Sequence, residues 1–312
     1  MKYLTLKISA LSIVCMLIFF SCENKEKITL QYNFQQGDML KQNMVLNMDL
    51  VQNYMENELK VSIVIGMNMT FEVKESRDDL YTLEVKFKEL KVKMGIPGMD
   101  IGTISLDSNT TEDAGIEMNF GTVFKAIIDR PFEVVMDKIG KVKSVKGLES
   151  FSEIMLNAFD DDVPETLRRQ VVELFGSQFS DEAIKAQLEQ SMGYFPNKPV
   201  GIGNSWNVKM QSNVSNFAIN INVKSTLKSV EDNVVTLNID GTVTTPEGYE
   251  QEVNGVKTKL ALKGVQKGVL KINKDTGWVI SSDIMINFDG KMDAVGVKIP
   301  FYVATKATVT DQ

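Results

Sequence analysis

Apolar and polar side chains alternate along most of this chain from Ile28 onward, which is the period-two pattern of half-buried β-strands. In the runs 44–50, 67–73 and 81–87, every second residue is apolar. The charged linker 77–79 separates two of these runs and predicts a hairpin turn. The pattern therefore predicts a mainly β protein, β-rich α+β in class, whose strands pair antiparallel.

Three short motifs recur in the same order in the second half of the chain. The motif 37–40 (GDML) is matched by 203–206 (GNSW), the run 80–85 (LYTLEV) by 234–239 (VVTLNI), and the turn 137–140 (DKIG) by 274–277 (KDTG). These matches predict an internal duplication into two similar, curved antiparallel sheet units, residues 28–147 and residues 198–312. We expect the units to join in one continuous open barrel or sandwich, and two separate domains are the alternative.

The segment 148–197 has helical rather than strand periodicity. Its spacing predicts helices over 148–159 and 164–175, and a third from Ser180 to about Gly193. Asp162 is expected to cap the second helix, with Glu165 completing a capping box. We predict that this segment is a helical insertion or linker between the two sheet units.

The chain begins with a positive segment followed by an apolar segment, as export signals do. Lys2 and Lys7 precede the apolar run 8–20, which is shorter than the roughly 20 residues that a spanning helix needs. Ser21 stands directly before Cys22, and this stretch resembles the lipobox of bacterial lipoproteins. We predict a signal peptide over 1–21, lipidation of Cys22 and a charged tether over 22–27.

A lipidated Cys22 anchors the protein to a membrane without spanning it. The sequence therefore predicts a place in the cell envelope, at the outer membrane, with the periplasmic or surface face left open. The membrane itself is then the first expected partner.

The charge balance argues against nucleic acid as a partner. The chain has 34 basic and 41 acidic residues, a formal net charge of −7. The predicted signal removes two lysines and no acid, so the processed chain carries −9. A net acidic chain without a long basic run is a poor match for polyanions.

Histidine is absent from the chain, and only two cysteines are present. The absence of histidine excludes Ser-His-Asp catalysis, Cys-His catalysis and histidine-ligated zinc. Cys15 lies in the predicted signal and Cys22 is the predicted lipidation site, so no thiol remains for a disulfide or a nucleophile. We predict no cofactor and no metal, and a chain held together by its hydrophobic core.

Methionine is the unusual residue of this composition, with 17 in the chain and eight of them between positions 39 and 99. Alternation places Met44 and Met48 on one strand face, and Met67 and Met69 on another. Because methionine is flexible and polarizable, these four side chains are candidates for lining an adaptable apolar pocket. An ordinary core and a Cu(I) site of thioether ligands are the alternatives.

The two tryptophans, Trp206 and Trp278, stand at motif positions of the second unit. We expect each to plug the end of a curved sheet and to satisfy its single N–H there. Stacking against a ligand is the alternative, and both residues are therefore candidates for the binding site.

Carboxylates are the remaining groups that could act as acid and base. The run 160–162 (DDD) lies between two predicted helices, where a solvated turn explains it. The stretch 289–293 (DGKMD) lacks the ligand number and spacing of an EF-hand and is predicted to be a hairpin turn. Neither stretch identifies a catalytic pair, so no catalytic residue is assigned.

Several short stretches together resemble one family. They are the lipobox-like start, the segment 199–206 (PVGIGNSW), Asp107-Ser108, and the strand pair around Gly140-Lys141-Val142. Together they are similar to a family of uncharacterised Bacteroidota lipoproteins, a domain of unknown function. The resemblance implies an exported lipoprotein of a Gram-negative envelope, and it implies no catalytic residue or substrate.

Three functions follow as expectations. The first is a non-catalytic lipoprotein that binds an apolar ligand, such as a lipid acyl chain, on a curved β face. The second is a structural or assembly partner of another envelope protein. The third is a carboxylate-dependent hydrolase.

Overall fold

In the computed structural model, residues 26–54, 57–95, 104–109, 121–161, 163–214, 217–253 and 256–311 are described. Within them, thirteen strands form one antiparallel sheet on which a small group of helices packs. The predicted mainly β class is confirmed. Cys22 and the predicted signal lie outside the described residues.

Of the described strands, six lie before residue 147 and seven after residue 204. They are β1 (Met39–Tyr54), β2 (Asn57–Arg77), β3 (Leu80–Gly95), β4 (Ile104–Asp107), β5 (Pro131–Asp137), β6 (Val142–Lys146), β7 (Ser205–Val214), β8 (Phe217–Glu231), β9 (Val234–Thr244), β10 (Glu250–Val253), β11 (Val256–Asn273), β12 (Val279–Ala294) and β13 (Val297–Thr310).

The helices of the described residues lie between β4 and β7. They are α1 (Gly121–Lys125), α2 (Phe151–Leu156), α3 (Glu165–Gly176) and α4 (Asp181–Met192), with a 3-10 turn at Ser177–Phe179. Ser180 caps α4, because its side chain accepts a hydrogen bond from the Ala183 N–H at 3.2 Å. The predicted cap Asp162 lies outside the described residues.

The sheet order shows how the two units join. It runs β6-β5-β3-β2-β1-β13-β12-β11-β9-β8-β7, with β4 beside β3 and β10 beside β11. The first unit supplies β6 to β1 and the second supplies β13 to β7, so the units repeat in the same direction across the sheet. They meet where β13 of the second unit pairs with β1 of the first, and β13 also pairs with β12. The units therefore share one continuous sheet, the first of the two arrangements that the sequence left open.

The recurring motifs make the same backbone hydrogen bonds in each unit. The N–H of Gly37 donates to Val73, and the N–H of Val73 donates to Asp38, at 2.8 and 2.9 Å. In the second unit, Gly203 donates to Leu227, and Leu227 donates to Asn204, at 2.8 and 3.0 Å. The β2 and β8 strands each carry a register shift at this point. The two units are therefore similar in structure as well as in pattern.

Helix α4 shows that the sheet is curved. It packs against β6 at one edge of the sheet and against β7 at the other. A flat sheet of eleven strands would hold its edges far apart, since neighbouring strands lie about 4.8 Å from each other. The sheet therefore bends around α4, and β6 and β7 do not pair with each other.

The N-terminal segment 26–38 closes one end of this curved sheet. The Tyr32 N–H donates to the Lys138 carbonyl at 2.7 Å, and the Asn33 N–H donates to the Thr276 carbonyl at 3.0 Å. These two acceptors lie in the equivalent turns 137–140 and 274–277. The Tyr32 hydroxyl donates to the Met192 carbonyl at the end of α4, at 3.1 Å. We call this end of the molecule the closed end.

One predicted turn is wrong. The stretch 289–293 lies inside β12 and pairs with β11 and β13, whereas the hairpin turn follows at Val295 and Gly296. Asp-Gly is a common turn sequence, but Gly290 serves packing here. An added β-carbon would lie 2.5–2.6 Å from atoms of the Phe301 ring, so only glycine leaves room for that ring.

Candidate functional site

The strand registers place one face of every strand toward the inside of the curved sheet. In the half next to the closed end, this inner face is covered and forms the core. A row across four strands, Leu90, Met67, Met44 and Val309, illustrates the packing. Leu90, Met67 and Val309 are buried, while Met44 is half-buried and packs against the core.

Toward the other end, the same face becomes partly exposed on β2, β1, β13 and β12. The half-buried apolar residues there form what we call the open half: Leu46, Met48, Leu50, Val61, Ile63, Ile65, Ile286, Phe288, Met292, Ile299 and Phe301.

The open half carries no charge. In the described residues, the inward-facing positions beyond the Met44 row hold no Asp, Glu, Lys or Arg. The outer face of the same strands is mixed and does carry charges, among them Asp49, Lys306 and Asp289. Burial alone does not explain this contrast, since the open half is partly exposed to water. The face therefore has the character of an apolar binding surface.

The four candidate methionines share this inner face, and the structure brings three of them together. Met44 lies opposite Met67 in the register, and Met69 follows Met67 on the same side of β2. Met67 and Met69 are 8% and 7% exposed and belong to the core. Met48 is half-buried and lies in the open half, beside Ile63 and Thr305. Of the four candidates, Met48 is therefore the one that a ligand bound on the open half would reach.

Both tryptophans lie in the packed part of the molecule. The Trp278 ring packs on Phe34 and Phe71, and its Nε1–H donates to the Lys41 carbonyl at 3.1 Å. The Trp206 Nε1–H donates to the Tyr194 carbonyl at 2.8 Å. Each side chain is less than a tenth exposed, so neither reaches the open half.

Sequence reasoning did not single out the glycines of the inner face. Gly264 and Gly268 of β11 and Gly290 of β12 all lack room for a β-carbon. At Gly264, the added atom would lie 2.6 Å from the Asn287 carbonyl oxygen, and at Gly268, 2.8 Å from Ile284 Cα. The even spacing of Gly264 and Gly268 within a strand places them on one face, a signal that was present in the sequence.

A few uncharged polar groups mark the border between the core and the open half. Gln266 and Thr305 flank Ile286 in one row, and they are 4% and 9% exposed. Burial raises the pKa of the Tyr194 hydroxyl to about 12, and a hydrogen bond from Gln266 opposes this effect. The Ser225 hydroxyl lies in the next row toward the closed end, buried and without a hydrogen-bond partner.

The described carboxylates form no catalytic cleft on the inner face. Asp160 and Asp161 are exposed between α2 and α3. Burial, and then the charge of Glu149, raises the pKa of Asp181, which begins α4 next to its cap. In the described part of the chain, no group of three or more His, Cys, Asp or Glu side chains could hold a metal ion.

Among the described helices, none is both long enough and apolar enough to cross a membrane.

Fold and face together define the class: a curved, antiparallel β protein with an uncharged apolar inner face that is closed at one end. The comparisons place the chain within a family. The model of a family of unknown function, DUF6263, matches residues 78–279, and the chain belongs to this family. The expected membership of an uncharacterised family is confirmed to that extent.

Solved structures show only distant similarity. Lipovitellin, in a structure titled for its lipid–protein interactions, shares 9% identity over 90% of this chain and 25% of its own, with a TM-score of 0.46. The translocator domain of the autotransporter NalP from Neisseria meningitidis shares 5% identity over 97% and 96%, with a TM-score of 0.23. An outer membrane channel from Pseudomonas putida F1 shares 6% identity over 90% and 97%, with a TM-score of 0.24.

The chain thus spans about a quarter of lipovitellin. No protein with a curated description matches it.

Proposed function

We propose that this chain is a non-catalytic lipoprotein of the cell envelope that binds an apolar ligand, such as an acyl chain, on the open half. The observation that carries the proposal is the partly exposed inner face without a single charged side chain in the described residues. Soluble proteins rarely expose a contiguous apolar surface of this kind without a ligand or partner for it.

The dimensions of the open half suit an acyl chain. Along β12, it extends from Ile286 to Met292, roughly 20 Å at about 3.3 Å per residue. One leaflet of a bilayer is about 15 Å thick in its hydrocarbon part, so a chain that fills a leaflet fits along these strands. The side chains are flexible or branched aliphatics and two phenylalanines, which suit a ligand without fixed shape.

An assembly role is the second candidate, and one edge of the sheet supports it. β7 (Ser205–Val214) lies at that edge, and among the described residues only β8 pairs with it. An edge strand of ten residues offers backbone N–H and C=O groups to a strand of another envelope protein. This candidate does not account for the uncharged open half, so we rank it second.

Two neighbouring residues of β12 allow a matched test of ligand binding. Ile286 faces the open half, whereas Met285 is 54% exposed on the outer face. Ile286→Asp is expected to weaken the binding of a fluorescent fatty acid at least tenfold, because a carboxylate within the apolar face must be desolvated. Titration of the processed chain, purified without its anchor, measures this affinity.

The control is Met285→Asp, which adds the same charge one residue away and is expected to leave the affinity unchanged. Thermal unfolding of both variants separates lost binding from lost folding, and Met48→Ser repeats the test on β1 without adding a charge. Equal affinities for the wild-type chain and Ile286→Asp, or no binding by the wild-type chain, would contradict the proposal.

The proposed location in the cell envelope depends on Cys22 and the sequence around it. Cys22→Ala is expected to abolish lipidation and to move the chain from the membrane fraction to an unprocessed or soluble form, because no other side chain can carry the acyl chains. Fractionation and mass analysis of the processed N-terminus measure both effects. Unchanged membrane retention and processing of the variant would exclude the anchor.

A further inference from the structure

The turn between β12 and β13 has a backbone conformation that does not suit its first residue. Ala294 and Val297 form the last pair of the hairpin, so Val295 and Gly296 make a two-residue turn. Both residues have positive φ, 53° at Val295 and 81° at Gly296, as turns of this type require. A β-branched residue at positive φ is a rare and strained arrangement.

The other positive-φ positions show how unusual Val295 is. Six described residues other than glycine have positive φ, and five of them are Asp or Asn. The equivalent hairpins at 78–79 and 232–233 use only these residues. Val295 is also 83% exposed, so neither turn chemistry nor packing within the chain accounts for valine there.

One edge of this hairpin extends beyond its described pairing with β1. β1 pairs with β13 only as far as Gln52 opposite Phe301, so the described pairing leaves 297–300 without a partner on that side. This stretch is roughly 13 Å long at about 3.3 Å per residue. Pro300 lies within it, and proline suits a strand position that has no ladder to join. On the other side, β11 stays paired with β12 up to Thr258 opposite Ala294, so the turn ends a hairpin whose β13 edge is the side without described pairing.

An apolar path leads from this turn to the open half. On the inner face, the successive hairpin pairs are Ala294–Val297, Met292–Ile299, Gly290–Phe301 and Phe288–Val303. Val297 is 47% exposed, and exposure falls along the path until Val303, which is 5% exposed. The opposite face of the same hairpin is charged, with Asp293 and Lys298 paired and Lys291 opposite Pro300.

We infer that the turn at Val295 and Gly296 inserts into the apolar layer of a lipid surface and that acyl ligands enter the open half along this hairpin. The inference rests on the proposed function and names the source of the ligand. The exposed aliphatic side chains at this tip are Val295 and Val297, too little area for a stable protein interface, which buries about 800 Å² per partner. Shallow insertion needs no such area. Lys291, Asp293 and Lys298 share the opposite face of the hairpin, and their net charge of +1 favours anionic lipid headgroups.

The predicted lipid anchor at Cys22 does not explain the exposed valine at this turn. The described chain enters at the closed end, where Ile28 forms a bridge with Val200. The turn lies at the far end of β12, roughly 50 Å away by the length of that 16-residue strand. Contact of the turn with a membrane can therefore be measured on a chain that lacks the lipid at Cys22.

The test uses the processed chain 22–312 with Cys22→Ser and vesicles of phosphatidylcholine containing phosphatidylglycerol. Val295→Asn is expected to lower vesicle partitioning about tenfold, since one buried valine side chain supplies a contribution of that order. The same change is expected to raise the midpoint of thermal unfolding by roughly 2 °C, because Asn-Gly suits this turn. A loss of binding with a gain in stability is not the result of damaged folding.

Met285→Asn is the matched control, since it removes an exposed apolar side chain from the outer face of the same strand. It is expected to leave partitioning unchanged. Equal partitioning of the wild-type chain and Val295→Asn overturns the inference, as does an equal loss in Met285→Asn. Loss of self-association or of a protein partner in Val295→Asn, with vesicle partitioning intact, overturns it in favour of a protein contact.

The fatty-acid titration without vesicles separates this inference from the proposed function. Val295→Asn is expected to bind the dissolved fatty acid as the wild-type chain does, while acquiring it more slowly from vesicles. If the wild-type chain binds no fatty acid but partitions through Val295, the proposed function fails and the lipid contact of the tip stands.

Discussion

Replacing Gly140 with alanine is expected to lower the free energy of unfolding by about 4 kcal/mol. Gly140 has a φ of +87°, and an added β-carbon would overlap the Met192 carbonyl oxygen and lie 3.0 Å from the Tyr32 ring. That carbonyl accepts hydrogen bonds from the Tyr32 hydroxyl and from the Tyr194 N–H, at 3.1 and 3.0 Å. The nearest obstructing atoms belong to the Met192 backbone. The turn 137–140 must therefore move away from the end of α4 to make room for the methyl group.

Gly203→Ala is the control for this prediction. Gly203 has a φ of +88°, and no atom lies within 4 Å of the position of its added β-carbon. The two variants therefore share the cost of left-handed backbone, about 1–2 kcal/mol, and differ in the steric overlap alone. Urea unfolding of both chains measures the difference. Similar losses in both variants would show that contact between the turn 137–140 and α4 contributes little to the fold.

The stability of the chain is expected to fall steeply above pH 10. Burial raises the pKa of the Tyr194 hydroxyl to about 12, and burial, followed by the charge of Tyr194, raises the pKa of Tyr32 still further. Both tyrosines are protonated in either state below pH 10, so their contribution is complete there. Above pH 10, they ionise in the unfolded chain first, and each lowers the free energy of unfolding by about 1.4 kcal/mol per pH unit.

Urea unfolding between pH 8 and 12 measures this slope. By pH 12 the combined loss is about 5 kcal/mol, comparable to the whole stability of many domains. Tyr194→Phe is expected to remove about half of the slope, because it removes one of the two ionising groups. A variant whose stability falls as steeply as that of the wild-type chain would refute the assignment to buried tyrosines.

Most of the strands could be predicted from the sequence, because in a half-buried strand every second residue is buried. Where Met67, Met69, Phe71 and Val73 alternate with polar residues, one face must be covered, and the structure covers it. The turns were predictable where Asp, Asn and Gly take positive φ, as at 78–79 and 232–233. The turn at 295–296 was missed because valine is the wrong residue for it, and strained positions of this kind concentrate at functional sites.

The candidate site was predictable only in part. Alternation identified the face of Met44, Met48, Met67 and Met69, but it did not show that Met48 lies in the open half and that Met67 lies in the core. The tryptophans were equally ambiguous, since a tryptophan that stacks on a ligand and one that plugs a sheet end have the same local sequence. Their burial and their hydrogen bonds to the Lys41 and Tyr194 carbonyls favour the packing role. Lys41 is 237 positions from Trp278 in the sequence, and Tyr194 lies outside the strand of Trp206, so a strand pattern shows neither contact.

The sequence by itself determined the strands, the recurring motifs, the helical segment and the absence of histidine chemistry, because these depend on local periodicity and composition. The tertiary structure alone decided that the units share one sheet through β13, that the sheet bends around α4, and that half of its inner face stays open. The physical reason is that alternation fixes the side of a strand on which a residue lies, whereas strand neighbours, curvature and cover arise from contacts between residues distant in sequence.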